Sequence, residues 1–227
     1  MNTISLLEIL KNDYKGVFRT YDIRLIENSN IKYSSLVANR LLKHGYIRRI
    51  GRNRFYIDGT DIFTVASNII EPSYIGISSA FLYYNMVTQL YNTIYVISSK
   101  RHKDVDIMGY RIKFITLKNT RIFGYHIDRN TYVSISDPEK AIVDAVYLKN
   151  PGIAYIKEAL FTGIENKLID KNKLLSYAEE MHSPVAYKTI ISLSKLFSVL
   201  FSIFPAFSRI NGHMPIRDLE ILYSYLK

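Results

Sequence analysis

The sequence predicts an α+β chain of two units, and three observations carry that reading. Residues 1–57 hold three helix-period segments followed by an arginine-rich hairpin pattern. Strand-like runs then dominate residues 93–135, and apolar helical runs fill 136–227. The positive charge is uneven. Up to Ile57 there are eleven Lys and Arg against four acids, a net +7, while the other 170 residues hold nineteen against sixteen, a net +3. A basic unit of about 60 residues joined to a nearly balanced body is expected to engage a polyanion through that unit.

Thr3–Asn12 reads as an amphipathic helix with Ile4, Leu7 and Ile9/Leu10 inward. Thr20 is placed to cap a short helix over Tyr21–Ile26, with Asp22 favourable in its first turn. Asn28-Ser29-Asn30 makes a turn. A third helix is expected over roughly Tyr33–His44, stopped by Gly45, which takes the left-handed conformation that ends many helices. Val37, Ala38, Leu41 and Leu42 form its apolar face; Lys32, Ser35, Asn39 and Lys43 recur at steps of three and four on another, with Arg40 at the edge. Tyr46–Ile50 alternates as a strand, Gly51-Arg52-Asn53 turns, and Arg54–Ile57 returns. Three helices plus a hairpin make a winged helix-turn-helix, assigned to residues 1–60.

The second unit, 68–227, starts after a link around Asn68–Pro72. A short helix is expected over Ser78–Met86, and strands over Thr93–Ser98, Tyr110–Leu117, Phe123–Ile127 and Tyr132–Ile135. Ser136 and Glu139 have the S-x-x-E spacing of a capping box ahead of an apolar run. Helices are expected over Ile153–Thr162, Lys171–His182, Val185–Phe204 and Pro215–Leu226. Val185–Phe204 is greasy enough to test as a membrane span. Lys188, Ser192, Lys195 and Ser202 give it a polar stripe at helical spacing, so it is expected to pack against the protein, with no membrane partner.

A helix set in the major groove presents side chains to base edges, while the wing lies along the backbone. Ser35 and Asn39 suit base edges. Lys32, Arg40 and Lys43 suit phosphates or guanine, and Arg49, Arg52 and Arg54 supply the wing. Strand alternation puts Arg48 opposite Arg49. Duplex DNA is the expected partner. With about five phosphate contacts, affinity should fall with salt at a log–log slope of about −4 to −5.

Three segments in order resemble a family. These are LLKHGYIRRIGRNRFYI, then YIGISSAFLYYNMVTQLYNTIYVIS with its Ser78-Ser79-Ala80-Phe81-Leu82 helix, then VSISDPEKAIVDAVYL with Pro138-Glu139-Lys140-Ala141-Ile142-Val143-Asp144. They resemble the AbiEi-type antitoxins of type IV toxin–antitoxin systems, over about residues 10–150. The resemblance implies a repressor that binds the operator of its own operon. It also implies a remainder that counteracts a nucleotidyltransferase-like toxin, without a stable complex between the two. It carries no catalytic residue. A monomer on each half of an inverted repeat and a preformed homodimer both remain open. An alternative is a winged-helix transcription factor whose second unit senses a ligand through Phe81, Tyr83, Tyr84 and Tyr91.

Enzyme patterns are sparse. The chain has no Gly-rich phosphate loop, no H-E-x-x-H and no G-x-S-x-G. His44, His102, His126, His182 and His213 lack metal-ligand spacing. Asp137 with Glu165-x-Lys167 imitates a metal-dependent nuclease, but Glu165-Asn166-Lys167 falls in a turn where that chemistry needs the end of a core strand. No enzyme, cofactor or metal is expected. Zero cysteines exclude disulfides and thiolate metal sites and, with no signal-peptide pattern, fit a cytoplasmic chain. Lys100-Arg101-His102-Lys103 is a second basic cluster, followed at once by Asp104 and Asp106.

Overall fold

A computed structural model describes residues 2–89 and 92–207, with side chains described as far as Lys195. It is a mixed α+β chain with two sheets. The expected helix over Pro215–Leu226 lies outside the described residues, as does Tyr91.

The first unit runs α1 (Thr3–Asn12), β1 (Val17–Arg19), α2 (Thr20–Ile26), α3 (Ile31–Lys43), β2 (Ile47–Gly51) and β3 (Arg54–Ile57). The strands make an antiparallel sheet in the order β1-β3-β2. Polar side chains start the helices. Asn2 accepts from the Ser5 amide at 2.8 Å and Asn30 from the Tyr33 amide at 2.9 Å, each satisfying a donor with no partner inside its helix. Thr20 is the first residue of α2 instead of its cap; the Asp22 carboxylate reaches back to the Arg19 amide at 2.6 Å. Gly45, at φ +74°, ends α3. Leu6, Leu10, Phe18, Ile23, Ala38, Leu41, Ile47 and Phe55 form the core of this unit. Val37 and Leu42, read as inward, flank that core as partly buried residues, and Ile4 is exposed.

A helix stands between the hairpin and the expected link around Asn68–Pro72. Asp61 caps α4 (Ile62–Ser67), accepting from the Thr64 amide at 2.9 Å. There follow β4 (Ser73–Ile75), α5 (Ile77–Tyr83), β5 (Thr93–Ser98), β6 (Val105–Ile107), β7 (Tyr110–Thr116), β8 (Tyr125–Ile127) and β9 (Ser134–Ser136). The chain continues through α6 (Pro138–Leu148), α7 (Ile153–Glu165), α8 (Lys171–Glu180) and α9 (Pro184–Phe207). Six strands join in the order β6-β7-β5-β4-β9-β8. The pairs β5–β7 and β4–β9 are parallel and the other three antiparallel. β4 and β5 bury nearly every side chain, and α5 and α6 pack into the same apolar cluster. This is the continuous burial of a sheet covered by helices.

The expected capping box at the start of α6 does not form. Asp137 holds the cap position with Pro138 at the first turn. Ser136 ends β9, its Oγ buried and without a hydrogen bond among the described residues. Glu139 turns to another element: Oε1 accepts from the Asp170 amide at 2.9 Å, and Oε2 faces the Lys173 ammonium at 3.2 Å. Proline at the first helical position already removes one orphan donor, and the carboxylate joins α6 to the start of α8.

The two units meet along the hairpin. Arg54 donates to the Asn68 carbonyl and pairs with Glu71, which also binds Arg19. Ile50 packs on the larger apolar cluster. One face of the β2–β3 hairpin is therefore turned to the second unit.

Candidate nucleic-acid interface

Ser34, Ala38 and Leu41 bury one side of α3. With 3.6 residues per turn, the opposite side is the stripe Lys32, Leu36, Asn39 and Lys43, with Arg40 beside it. All five are exposed. Ser35 sits on the flank, half-buried, and its hydroxyl donates to the Ile31 carbonyl at 2.8 Å. Only its acceptor capacity is left for an outside group. α3 contains no acid, so its outward side is purely cationic and neutral. Leu36, which the sequence reading passed over, stands 47% exposed in the middle of that side.

The hairpin arginines divide between two faces. Arg48 is registered with Tyr56 and Arg49 with Phe55, as alternation requires. A bulge between Arg49 and Gly51 then sets Gly51 opposite Arg54. Arg49 is exposed, its guanidinium 5.4 Å from the centre of the Phe55 ring. Arg52 is exposed at the turn beside Asn53, whose φ is +56°. Arg48 is held by Asp58 through two hydrogen bonds of 2.6 and 3.1 Å.

Arg54 departs from its expected place on the wing surface. Its side chain is only 18% exposed, fixed by the Asn68 carbonyl and Glu71. Its register puts it on the face of Tyr56, 5% exposed, at the end of the strand that meets Asn68 and Glu71, while Arg48, opposite Tyr56, stays exposed. Glu71 answers the two arginines. Burial pushes its carboxyl up, but the hydrogen bond from Arg19 and the charges of Arg54 and Arg19 outweigh that and hold it below the ordinary value. Among the described residues, Lys32, Arg40, Lys43, Arg49 and Arg52 are exposed and engaged in no ion pair.

Two polar clusters lie in the second unit. Tyr74, Lys140 and Asp144 are fully buried together. Lys140 binds Asp144, Tyr74 donates to Asp144 at 2.8 Å, and the ammonium lies 4.5 Å from the centre of the Phe123 ring. Burial pushes the Asp144 carboxyl up and the Lys140 amine down, against their mutual attraction. Nearer the surface, Asp137 joins His126 at 2.8 Å, Tyr177 at 2.8 Å and Lys173 at 3.1 Å. Burial together with the Asp137 hydrogen bond pushes the Tyr177 phenol up to about 12.

Asp137 is thus occupied within its own cluster, while Glu165 and Lys167 stand exposed at the end of α7. Among the described residues no group of three or more His, Cys, Asp or Glu is placed to hold a metal ion. Of the aromatic residues expected to line a ligand pocket, the three described ones have partners within the fold. Phe81 is buried, Tyr83 donates to Asp128 at 2.7 Å, and Tyr84 donates to the Ser136 carbonyl at 2.9 Å. Among the described residues no helix is long and apolar enough to cross a membrane. No family model matches the chain, and no curated protein matches it either.

Proposed function

We propose that this protein is a DNA-binding transcriptional repressor. Its first unit acts as a winged helix-turn-helix, with α3 in the major groove and the β2–β3 turn against the backbone. The observation that carries this reading is the outward side of α3, where Lys32, Arg40 and Lys43 share the exposed surface with Asn39, with no acid on α3 and, among the described residues, no ion pair to any of the three. Ammonium and guanidinium groups left unpaired on one helix side are suited to phosphates, and an exposed carboxamide among them is suited to an adenine edge. The element order helix, strand, helix, helix, two-stranded hairpin supports the same reading. Arg49 and Arg52 add charge from the hairpin.

The resemblance of residues 10–150 to AbiEi-type antitoxins extends the proposal. The chain represses its own operon from an upstream operator, and its second unit counteracts a nucleotidyltransferase-like toxin without forming a stable complex. A gel shift with the DNA upstream of its own gene tests the first part; absence of a retarded band at low salt refutes it. Co-expression with a neighbouring nucleotidyltransferase-like gene tests the second. Restored growth is expected, and unrelieved toxicity refutes it.

A further inference from the structure

The outward side of α3 is polar and cationic except at Leu36 in its centre and Tyr33 on its flank, 47% and 45% exposed. Leu36 follows Lys32 by four residues and Tyr33 by three, and precedes Asn39 and Arg40 by three and four, so these four side chains are its neighbours on the helix surface, with Lys43 one turn further on. A singly exposed leucine on a protein surface is ordinary. This one differs in its surroundings. Two cations, Lys32 and Arg40, flank it along the helix, Lys43 extends the same side, and α3 has no acid to neutralise them. A partner protein covering Leu36 with an apolar face would have to desolvate both flanking charges. The partner that fits both features is a polyanion carrying small apolar groups on its readable edge. In the major groove of duplex DNA that group is the thymine 5-methyl.

We propose that Leu36 reads thymine 5-methyl groups, while Asn39, one turn on, pairs with adenine N6 and N7, so that the preferred half-site is built on adjacent A·T pairs. The inference rests on the DNA-binding reading above and adds the base class that α3 selects. Leu36 acts through apolar contact alone, so its contribution is separable from phosphate binding and from hydrogen bonding.

The test uses the full chain and a duplex it enriches from a random-sequence pool. A second copy of that duplex carries deoxyuridine in place of thymidine, which removes the methyl groups and keeps every hydrogen bond. The enriched half-site is expected to contain A·T pairs, and wild-type affinity should fall about three- to fivefold for each methyl contacted. Leu36→Ala should bind thymidine and deoxyuridine duplexes alike. Equal wild-type affinity for the two duplexes overturns the proposal without any variant being needed. So does a deoxyuridine penalty that persists undiminished in Leu36→Ala. If the wild-type chain enriches no sequence and retains no duplex at low salt, the DNA-binding reading fails and this inference fails with it.

Discussion

Replacing Arg52 and Arg54 by alanine, one at a time, separates charge that reaches a partner from charge the fold has already used. The two residues are neighbours of one turn and are equivalent in composition. Arg52 is exposed, whereas Arg54 is fixed on the Asn68 carbonyl and Glu71. Five exposed cations of the proposed interface are engaged in no ion pair among the described residues, namely Lys32, Arg40, Lys43, Arg49 and Arg52. Each phosphate neutralised changes the log–log salt slope by about −0.9, so the wild type should show about −4.5. Between 50 and 200 mM salt that is a loss of roughly 500-fold in affinity. Arg52→Ala removes one contact, which brings the slope to about −3.6 and the loss to roughly 150-fold. Arg54→Ala removes none and should keep the wild-type slope. Its cost appears in stability instead: the Asn68 carbonyl loses its donor, a loss of about 1–3 kcal/mol in a half-buried site.

Fluorescence anisotropy of a labelled duplex across that salt range measures the slopes, and urea unfolding of the same preparations measures the stabilities. If Arg54→Ala flattens the slope as much as Arg52→Ala does, the assignment of Arg54 to the contact between the units is wrong. A wild-type slope shallower than about −2 would refute the five-cation interface itself.

Three further outcomes follow from the second unit and the join. Asp144→Asn strips the buried Lys140 ammonium of its counter-charge and should cost about 3–5 kcal/mol in urea unfolding, much of it regained in Lys140→Met/Asp144→Leu; a loss under about 1 kcal/mol contradicts the buried pair. Burial pushes the Asp137 carboxyl up, but hydrogen bonds from Tyr177, His126 and Lys173 outweigh it, so its folded value lies below the ordinary one. The stability it contributes is therefore present above about pH 4 and lost as pH falls through that lower value. Asp137→Asn should flatten the acid limb of a stability–pH curve, and an unchanged limb rejects the assignment. Gly16 has φ +80°, and a Cβ there would sit 2.2 Å from Thr60 Oγ1, so Gly16→Ala should cost more than about 1 kcal/mol; a thermal midpoint equal to wild type refutes that packing.

Much of the first unit was legible because its signals are local. The Asn28-Ser29-Asn30 turn, the apolar period of α3 and the glycine at its end lie within a few residues of what they specify. The structure places the ends of α3 at Ile31 and Lys43, within two residues of the sequence reading. Short strands were legible only in part: β8 and β9 overlap the expected Phe123–Ile127 and Tyr132–Ile135, whereas β1, β4 and β6 were missed. β1 and β4 span three residues each, too few to show alternation, and β4 is buried throughout. β6 is equally short. The capping box failed for a different reason. Its spacing was present, but a proline at the first turn and a tertiary partner at Asp170 decided where Glu139 points. Local spacing names a device that is available, and tertiary contacts decide whether the chain uses it.

The same distinction governs the charge. The net +7 of residues 1–57 is a property of composition. How much of it faces outward depends on Asp58, which holds Arg48, and on Glu71, which holds Arg19 and Arg54. No window short enough to reveal a helix or a hairpin connects Arg19 to Glu71, 52 residues away. Removing these three arginines from the free set trims the three-stranded sheet and leaves α3 untouched, because α3 has no acid of its own and, among the described residues, its cations are engaged in no ion pair. The proposed interface is therefore weighted toward the helix. Substitutions on α3 should alter which sequence is bound, while those on the hairpin alter how tightly any sequence is held.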